Sequence, residues 1–74
     1  MVNLRTVIAD DEPLAISFLR GILSDLSNIE IVAECRNGRE VVDAVSDFNP
    51  DLLFLDIQMP GMNGFEVVKK IQSD

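Results

Sequence analysis

The chain has 74 residues, a net charge of −7, 47% hydrophobic residues and 26% charged residues. Its apolar content suits a packed core and excludes a disordered tail, and its length suits one domain or part of one. The acidity argues against a direct nucleic-acid surface, because binding a phosphate backbone needs clustered Lys and Arg, and the six present are scattered.

The first eleven residues reach paired carboxylates before any long apolar run, and no stretch approaches the roughly 20 apolar residues of a membrane span. We therefore expect no signal peptide, no membrane partner and a cytoplasmic location. The single cysteine, Cys35, has no partner for an internal disulfide and lies in an apolar stretch. We expect it to be a buried structural thiol.

The first half of the chain reads as strand, helix and strand. The apolar run 7–9 predicts a strand that ends at Asp10 and Asp11, and Pro13 stands where a helix begins. Apolar positions 15, 18, 19, 22, 23 and 26 predict an amphipathic helix over 14–26. Residues 29–33 predict the second strand.

The second half continues as helix, strand and helix. Asn37 is a candidate N-cap for a helix with apolar positions 41, 42, 45 and 48, and Pro50 stops that helix. The uninterrupted apolar run 52–55 predicts a buried strand that Asp56 closes. After a loop over 59–64, positions 65, 68 and 71 predict a last short helix. This order is typical of βαβ units in an α/β fold, with a parallel sheet covered on both faces.

Acidic residues follow two of the predicted strands. Right-handed crossovers place the first and third strands side by side, and ligands bind beyond the carboxyl ends of parallel strands. We therefore expect Asp10, Asp11 and Asp56 to converge within a few ångströms. Like charges at such range oppose folding unless a cation neutralises them, and Mg²⁺ is bound by a few protein oxygens plus waters. The sequence therefore predicts a magnesium site.

Asp56 is also a candidate nucleophile for phosphoryl transfer, where catalysis consists mostly of positioning and neutralisation of oxygen charge. The competing interpretation is that acidic residues favour helix N-termini, where the macrodipole and unpaired amides stabilise them. We adopt that interpretation for Glu12. For the other three acids, coincidence at two adjacent strand ends is the less favoured explanation.

Two segments carry a resemblance to a known family. Residues 7–13 (VIADDEP) and 50–64 (PDLLFLDIQMPGMNG) together resemble a response-regulator receiver domain of the CheY-like type, and the resemblance covers the whole chain. Residues 10–15 (DDEPLA) and 34–38 (ECRNG) resemble regulators with a LytTR-type DNA-binding output domain. The implied fold is a flavodoxin-like, doubly wound parallel sheet with strand order 2-1-3.

The resemblance also implies the chemistry of the site. A histidine kinase would phosphorylate Asp56, and Mg²⁺ would be ligated by Asp11, Asp56 and the backbone carbonyl of Gln58. Asp10 would reach the ion through water. The chain would be a phosphoacceptor signalling module of a two-component system rather than an enzyme.

The chain departs from the family pattern in its number of strands. A complete receiver has five strands in the order 2-1-3-4-5, so we expect residues 1–74 to be the N-terminal portion, without the fourth and fifth strands. The Ser or Thr and the Lys that follow those strands and contact the phosphoryl group are then missing, so we expect weak or absent phosphorylation. Lys69 and Lys70 are poor substitutes, since their helix leads away from the strand ends.

An open edge on the third strand would predict a homodimer, formed through that edge or by a swap. The alternative is that the chain is simply a fragment of a longer regulator.

Two other classes of function stay open. A phosphatase of the haloacid dehalogenase type also places a nucleophilic Asp after a buried strand, but it usually has a second Asp two positions on, where this chain has Gln58. A truncated or engineered receiver fragment would act only as a dimerising or structural module without phosphotransfer. Titration with Mg²⁺ distinguishes a working site from these alternatives.

Overall fold

The computed structural model describes residues 3–56 and 64–72. The elements, in chain order, are β1 (Leu4–Ala9), α1 (Pro13–Ser24), β2 (Ile29–Cys35), α2 (Gly38–Phe48), β3 (Leu52–Leu55) and α3 (Gly64–Gln72). The described strands form a parallel sheet in the order β2-β1-β3. The predicted α/β class, element order and 2-1-3 arrangement are confirmed.

The central strand β1 supplies side chains to a core on each face of the sheet. Val7 and Ala9 pack with α2 and α3, where Val41 and Val67 are fully buried. Ile8 points to the opposite face, towards α1. Because successive side chains point to opposite faces and both faces are covered, β1 is buried from Thr6 to Ala9. This burial is expected for the centre of a doubly wound sheet.

A bulge in β2 interrupts its pairing with β1. Thr6 pairs with Ile31, but the next residue, Val7, pairs with Ala33, so Val32 is an extra residue. A one-residue insertion moves every later side chain of a strand to the opposite face relative to its partner. Strand β2 also continues two residues beyond the predicted end at position 33.

The bulge decides which face the end of β2 presents to each helix. Ile31, before the bulge, packs against the α1 core, whereas Ala33 and Cys35, after it, pack on the α2 and α3 side. Glu34 therefore lies on the α1 face, where it meets Arg20 of that helix.

Helix α2 has the ends that the sequence predicts. The Asn37 side chain caps it by accepting a hydrogen bond from the Glu40 amide at 2.9 Å. The Glu40 carboxylate accepts in turn from the Arg36 amide at 2.7 Å, which satisfies another main-chain donor near the helix start. At the other end Asn49 has a φ of 48°, a left-handed C-cap, and Pro50 follows it.

The buried face of α1 differs from the predicted one. The structure buries Ile16 and Leu23 with Leu19 half-buried, so this face follows an i, i+3, i+7 spacing that includes position 16. Phe18 and Ile22, predicted on the apolar face, are 71% and 49% exposed. The apolar stripe of α1 is wider than the face that touches the sheet.

Two further expectations about burial were wrong. Strand β3 was predicted to be buried, but Phe54 is 38% exposed. The strand lies at an edge of the described sheet, in agreement with the expected open edge. Phe54 lies beside Ile8, on the face away from the α2 and α3 core. In α3 the fully buried residue is Val67, while Val68 is 40% exposed.

The exposed edge of β3 is compatible with the predicted homodimer, which remains a prediction. None of the helices in the described ranges combines the length and the apolar character needed to cross a bilayer.

Substitution of Gly21 by Ala should stabilise the fold. A Cβ at this exposed helical position would meet no atom within 4 Å, and Ala loses less backbone entropy in a helix than Gly does. We expect the free energy of unfolding, measured by urea denaturation, to rise by about 0.5–1 kcal/mol. The matched control Ser17→Gly, on the same exposed helix, should lower it by roughly 0.5 kcal/mol. A destabilising Gly21→Ala would mean that the helix is strained at this point.

Candidate functional site

The parallel ladder fixes the main chain at the ends of all three strands. Ala9 pairs with Leu55 on one side and with Cys35 on the other. One step further, the Asp56 amide donates to the Ala9 carbonyl and the Asp10 amide donates to the Cys35 carbonyl, both at 3.0 Å. Asp10 and Asp56 therefore leave the sheet side by side.

The acidic side chains meet at this edge. One carboxylate oxygen from each of Asp10, Asp11 and Asp56 lies within 4.8 Å of the other two. Asp10 and Asp56 are half-buried and Asp11 is exposed. The predicted convergence of the three carboxylates is thus confirmed, while their roles remain predictions. Gln58, the fourth predicted site residue, lies outside the described residues.

The carboxylate of Asp10 also organises the start of α1. Its Oδ1 accepts a hydrogen bond from the Glu12 amide at 3.0 Å, in the manner of an Asx turn. Glu12 is the N-cap residue, but its own side chain makes no capping bond. Asp10 thereby satisfies one main-chain donor at the helix start and has one oxygen held in place. Sequence reasoning missed this bond, although an Asp two residues before a candidate N-cap is its usual signal.

The donor set fits a hard divalent cation. Mg²⁺ takes oxygen ligands at about 2.1 Å in octahedral geometry, which separates neighbouring ligands by about 3 Å and opposite ligands by about 4 Å. One oxygen from each of the three carboxylates lies within 4.8 Å of the others, close to these separations. Carboxylates of this kind are also the ligands that such ions prefer.

Next to the acidic cluster, an ion pair joins α1 to the end of β2. Arg20 donates from Nε to Glu34 Oε2 at 2.5 Å and from Nη2 to Glu34 Oε1 at 2.7 Å. The bidentate hydrogen bond from Arg20 lowers the pKa of Glu34, and the same contact raises the pKa of Arg20. Sequence reasoning missed this pair, because it depends on the bulge at Val32.

The thiol of Cys35 is buried immediately behind the site. The residue is 3% exposed, which confirms the predicted burial of this thiol. Burial, with a smaller contribution from the negative charge of Glu40, raises the pKa of Cys35 from 9.0 to about 11. The neutral thiol is therefore the form that the fold stabilises.

Comparison with known proteins identifies a family to which the whole described sheet belongs. A model of the response regulator receiver domain family matches residues 6–74. The transcriptional regulatory protein BtsR of Escherichia coli is 52% identical over 65 residues, which cover 88% of this chain and 27% of BtsR. The sensory transduction protein LytT of Oceanobacillus iheyensis is 37% identical over 73 residues, which cover 99% of this chain and 30% of LytT.

The fold is shared with solved receiver structures. The signal receiver domain of the putative response regulator NarL from Mycobacterium tuberculosis superposes with a TM-score of 0.94 at 30% identity. The match covers 99% of this chain and 59% of that one. Compared with the two regulators named above, the chain spans less than a third of the length of BtsR and of LytT.

The reactivity of Cys35 should report directly on the fold. Because its raised pKa leaves little thiolate, and because burial blocks access, alkylation at pH 8 should be at least about 100-fold slower in the native protein than in urea. The chain has one cysteine, so the labelling rate belongs to this residue. Equal rates in both conditions would contradict the burial.

The raised pKa also has a consequence for stability. The contribution of the buried thiol to the free energy of unfolding is fully present below the ordinary pKa of 9.0. It is lost as the pH rises through the raised pKa of about 11.

Proposed function

The chain belongs to the response regulator receiver domain family of two-component signalling proteins, and from this we propose that it accepts a phosphoryl group on Asp56 with the help of Mg²⁺. The observation that carries the proposal is the convergence of three carboxylates at the ends of β1 and β3. A set of carboxylates that holds one metal ion suits phosphoryl transfer, because catalysis of that reaction depends mostly on charge neutralisation and positioning.

Each carboxylate has its own part in the proposal. Asp11 and Asp56 hold the ion directly, as does the backbone carbonyl of Gln58. Asp10 acts through water, which agrees with the commitment of its Oδ1 to the Glu12 amide. When bound, Mg²⁺ offsets the negative charge of the carboxylates and of the incoming phosphoryl oxygens.

Asp56 is the acceptor because its backbone is fixed at the end of β3, beside the end of β1. Its amide is bonded to Ala9, so the carboxylate projects from a fixed point at the strand end. A carboxylate oxygen of Asp56 forms the new bond to phosphorus, and the bond from phosphorus to the donor breaks. With a histidine kinase as partner, the donor atom is a phosphohistidine nitrogen, which leaves with the bonding electron pair. The product is an acyl phosphate on Asp56. The chain is therefore itself modified by the reaction and does not act as an enzyme that turns over a substrate.

For the protein as a whole, we propose a role in transcription regulation. BtsR is a transcriptional regulatory protein, and this chain matches little more than a quarter of it. The acidic receiver would pass its phosphorylation state to an output domain that contacts DNA, and would make no nucleic-acid contact itself. The similarity to LytT agrees with an output domain of the LytTR type.

Binding of Mg²⁺ should require the carboxylates of the cluster. In an NMR titration we expect Mg²⁺ to shift the amide signals of Asp10, Asp11 and Asp56. We expect Asp11→Asn to weaken binding at least about tenfold, because a neutral amide is a poorer ligand for a hard cation. Asp43→Asn removes the same charge from an exposed position on α2 and should leave the affinity close to that of the wild type.

Phosphorylation should depend on Asp56 itself. After incubation with Mg²⁺ and a small phosphodonor, intact-mass spectrometry should show a low level of phosphoryl incorporation in the wild type and in Asp43→Asn but none in Asp56→Asn. Beryllofluoride should bind with the same dependence. Equal incorporation in Asp56→Asn, or Mg²⁺ binding unaffected by both Asp11→Asn and Asp56→Asn, would refute the proposal.

A further inference from the structure

The two hydrogen bonds of Asp10 and the Arg20–Glu34 ion pair together form a closed ring of contacts between β2 and α1, here called the circuit. The Asp10 amide donates to the carbonyl of Cys35 at the end of β2. The Asp10 carboxylate accepts from the Glu12 amide at the start of α1. Two turns along that helix, Arg20 returns to β2 through its bidentate contact with Glu34, the neighbour of Cys35.

We propose that the Arg20–Glu34 ion pair is a positioning element for the metal site: it holds the first turns of α1 against the end of β2, and so fixes the backbone that presents Asp10 and Asp11. This inference rests on the proposed function, since the ligands that it positions are those of the proposed Mg²⁺ site. It assigns a part in that site to two residues that lie outside the acidic cluster.

The packing of α1 shows why an ion pair matters at this place. The first turn of the helix contributes little to the core, since Leu14 is 82% exposed and Ile16 is the first buried residue. Between these turns and the end of β2 lies an open cleft of about 160 Å³, bordered by Pro13, Ser17 and the ion pair itself. The ion pair joins the two elements across this cleft, whose lining also includes Ile16 and Cys35.

The geometry of the helix suits this role. Side chains on a helix lean towards its N-terminus, so Arg20 reaches back towards the edge of the sheet where the acidic cluster lies. The two parallel N–H···O bonds define an orientation as well as a distance, which a single contact would not do. Asp11 lies between the two residues that the circuit holds, so its backbone is restrained on both sides.

A purely electrostatic effect on the site gives a different pattern of results, which makes the inference testable. If the pair acts only through its charges, Arg20→Met leaves an anion near the site and strengthens Mg²⁺ binding, whereas Glu34→Gln leaves a cation and weakens it. If the pair positions the ligands, both substitutions weaken binding. The double variant carries no net change in charge, so a charge effect disappears in it and a positioning effect persists.

We expect Arg20→Met, Glu34→Gln and the double variant each to weaken Mg²⁺ binding roughly 2–5-fold, the range given by the known strength of exposed ion pairs. The charge-reversed pair, Arg20→Glu with Glu34→Arg, should restore part of the loss. Glu30→Gln, at the far end of β2, and Arg39→Met, on α2, change the net charge by the same amounts and should leave the affinity unchanged within about 1.5-fold. Opposite effects of the two single variants, or wild-type affinity in the double variant, would overturn the inference.

Amide hydrogen exchange without Mg²⁺ provides a second readout. Loss of the ion pair should speed exchange at the Glu12 and Asp10 amides, which belong to the circuit, and leave the Asp56 amide unchanged because it bonds to β1 instead. Unchanged exchange at both circuit amides would contradict the positioning role. Absence of Mg²⁺ binding in the wild type would refute the proposed function, while the exchange measurement would still test the circuit.

Discussion

The register of β1 with both of its neighbours determines which residues emerge together at the carboxyl edge of the sheet. Ala9 is level with Leu55 and with Cys35, so the strands end together and the next residues emerge at one edge. Main-chain hydrogen bonds then hold Asp10 and Asp56 beyond the last paired residues. A slip of one residue on either side would turn a carboxylate towards the apolar core, where an unpaired charge is strongly destabilising.

This arrangement joins stability and function in the same residues. The two apolar cores, one under α1 and one under α2 and α3, fix the sheet but leave its carboxyl edge polar. Asp10 serves both purposes, because its amide extends the β2 ladder and its carboxylate supports the start of α1. The concentration of negative charge opposes folding, and a bound divalent ion would relieve that opposition, so metal binding and stability should be linked.

The acidic site could be predicted from the sequence because the information is local to each strand end. Acids follow two apolar runs, and the handedness of βαβ crossovers makes those runs neighbours. The ion pair of Arg20 with Glu34 could not be predicted in this way. It depends on the bulge at Val32, and the alternation of residues 29–33 fits a regular strand equally well. The exposure of Phe18 was missed for a related reason: helical periodicity marks an apolar stripe, but tertiary contacts decide which part of it meets the sheet.

Paramagnetic broadening by Mn²⁺ would show whether one divalent ion binds between the ends of β1 and β3. Mn²⁺ accepts the same oxygen ligands as Mg²⁺ and broadens the NMR signals of nearby amides. At substoichiometric Mn²⁺ the signals of Asp10, Asp11 and Asp56 should disappear first, those of Glu30 at the far end of β2 should persist, and excess Mg²⁺ should restore the lost signals. Broadening that begins at other acidic surfaces, or that spreads evenly over the chain, would show that the ion does not bind between these strand ends.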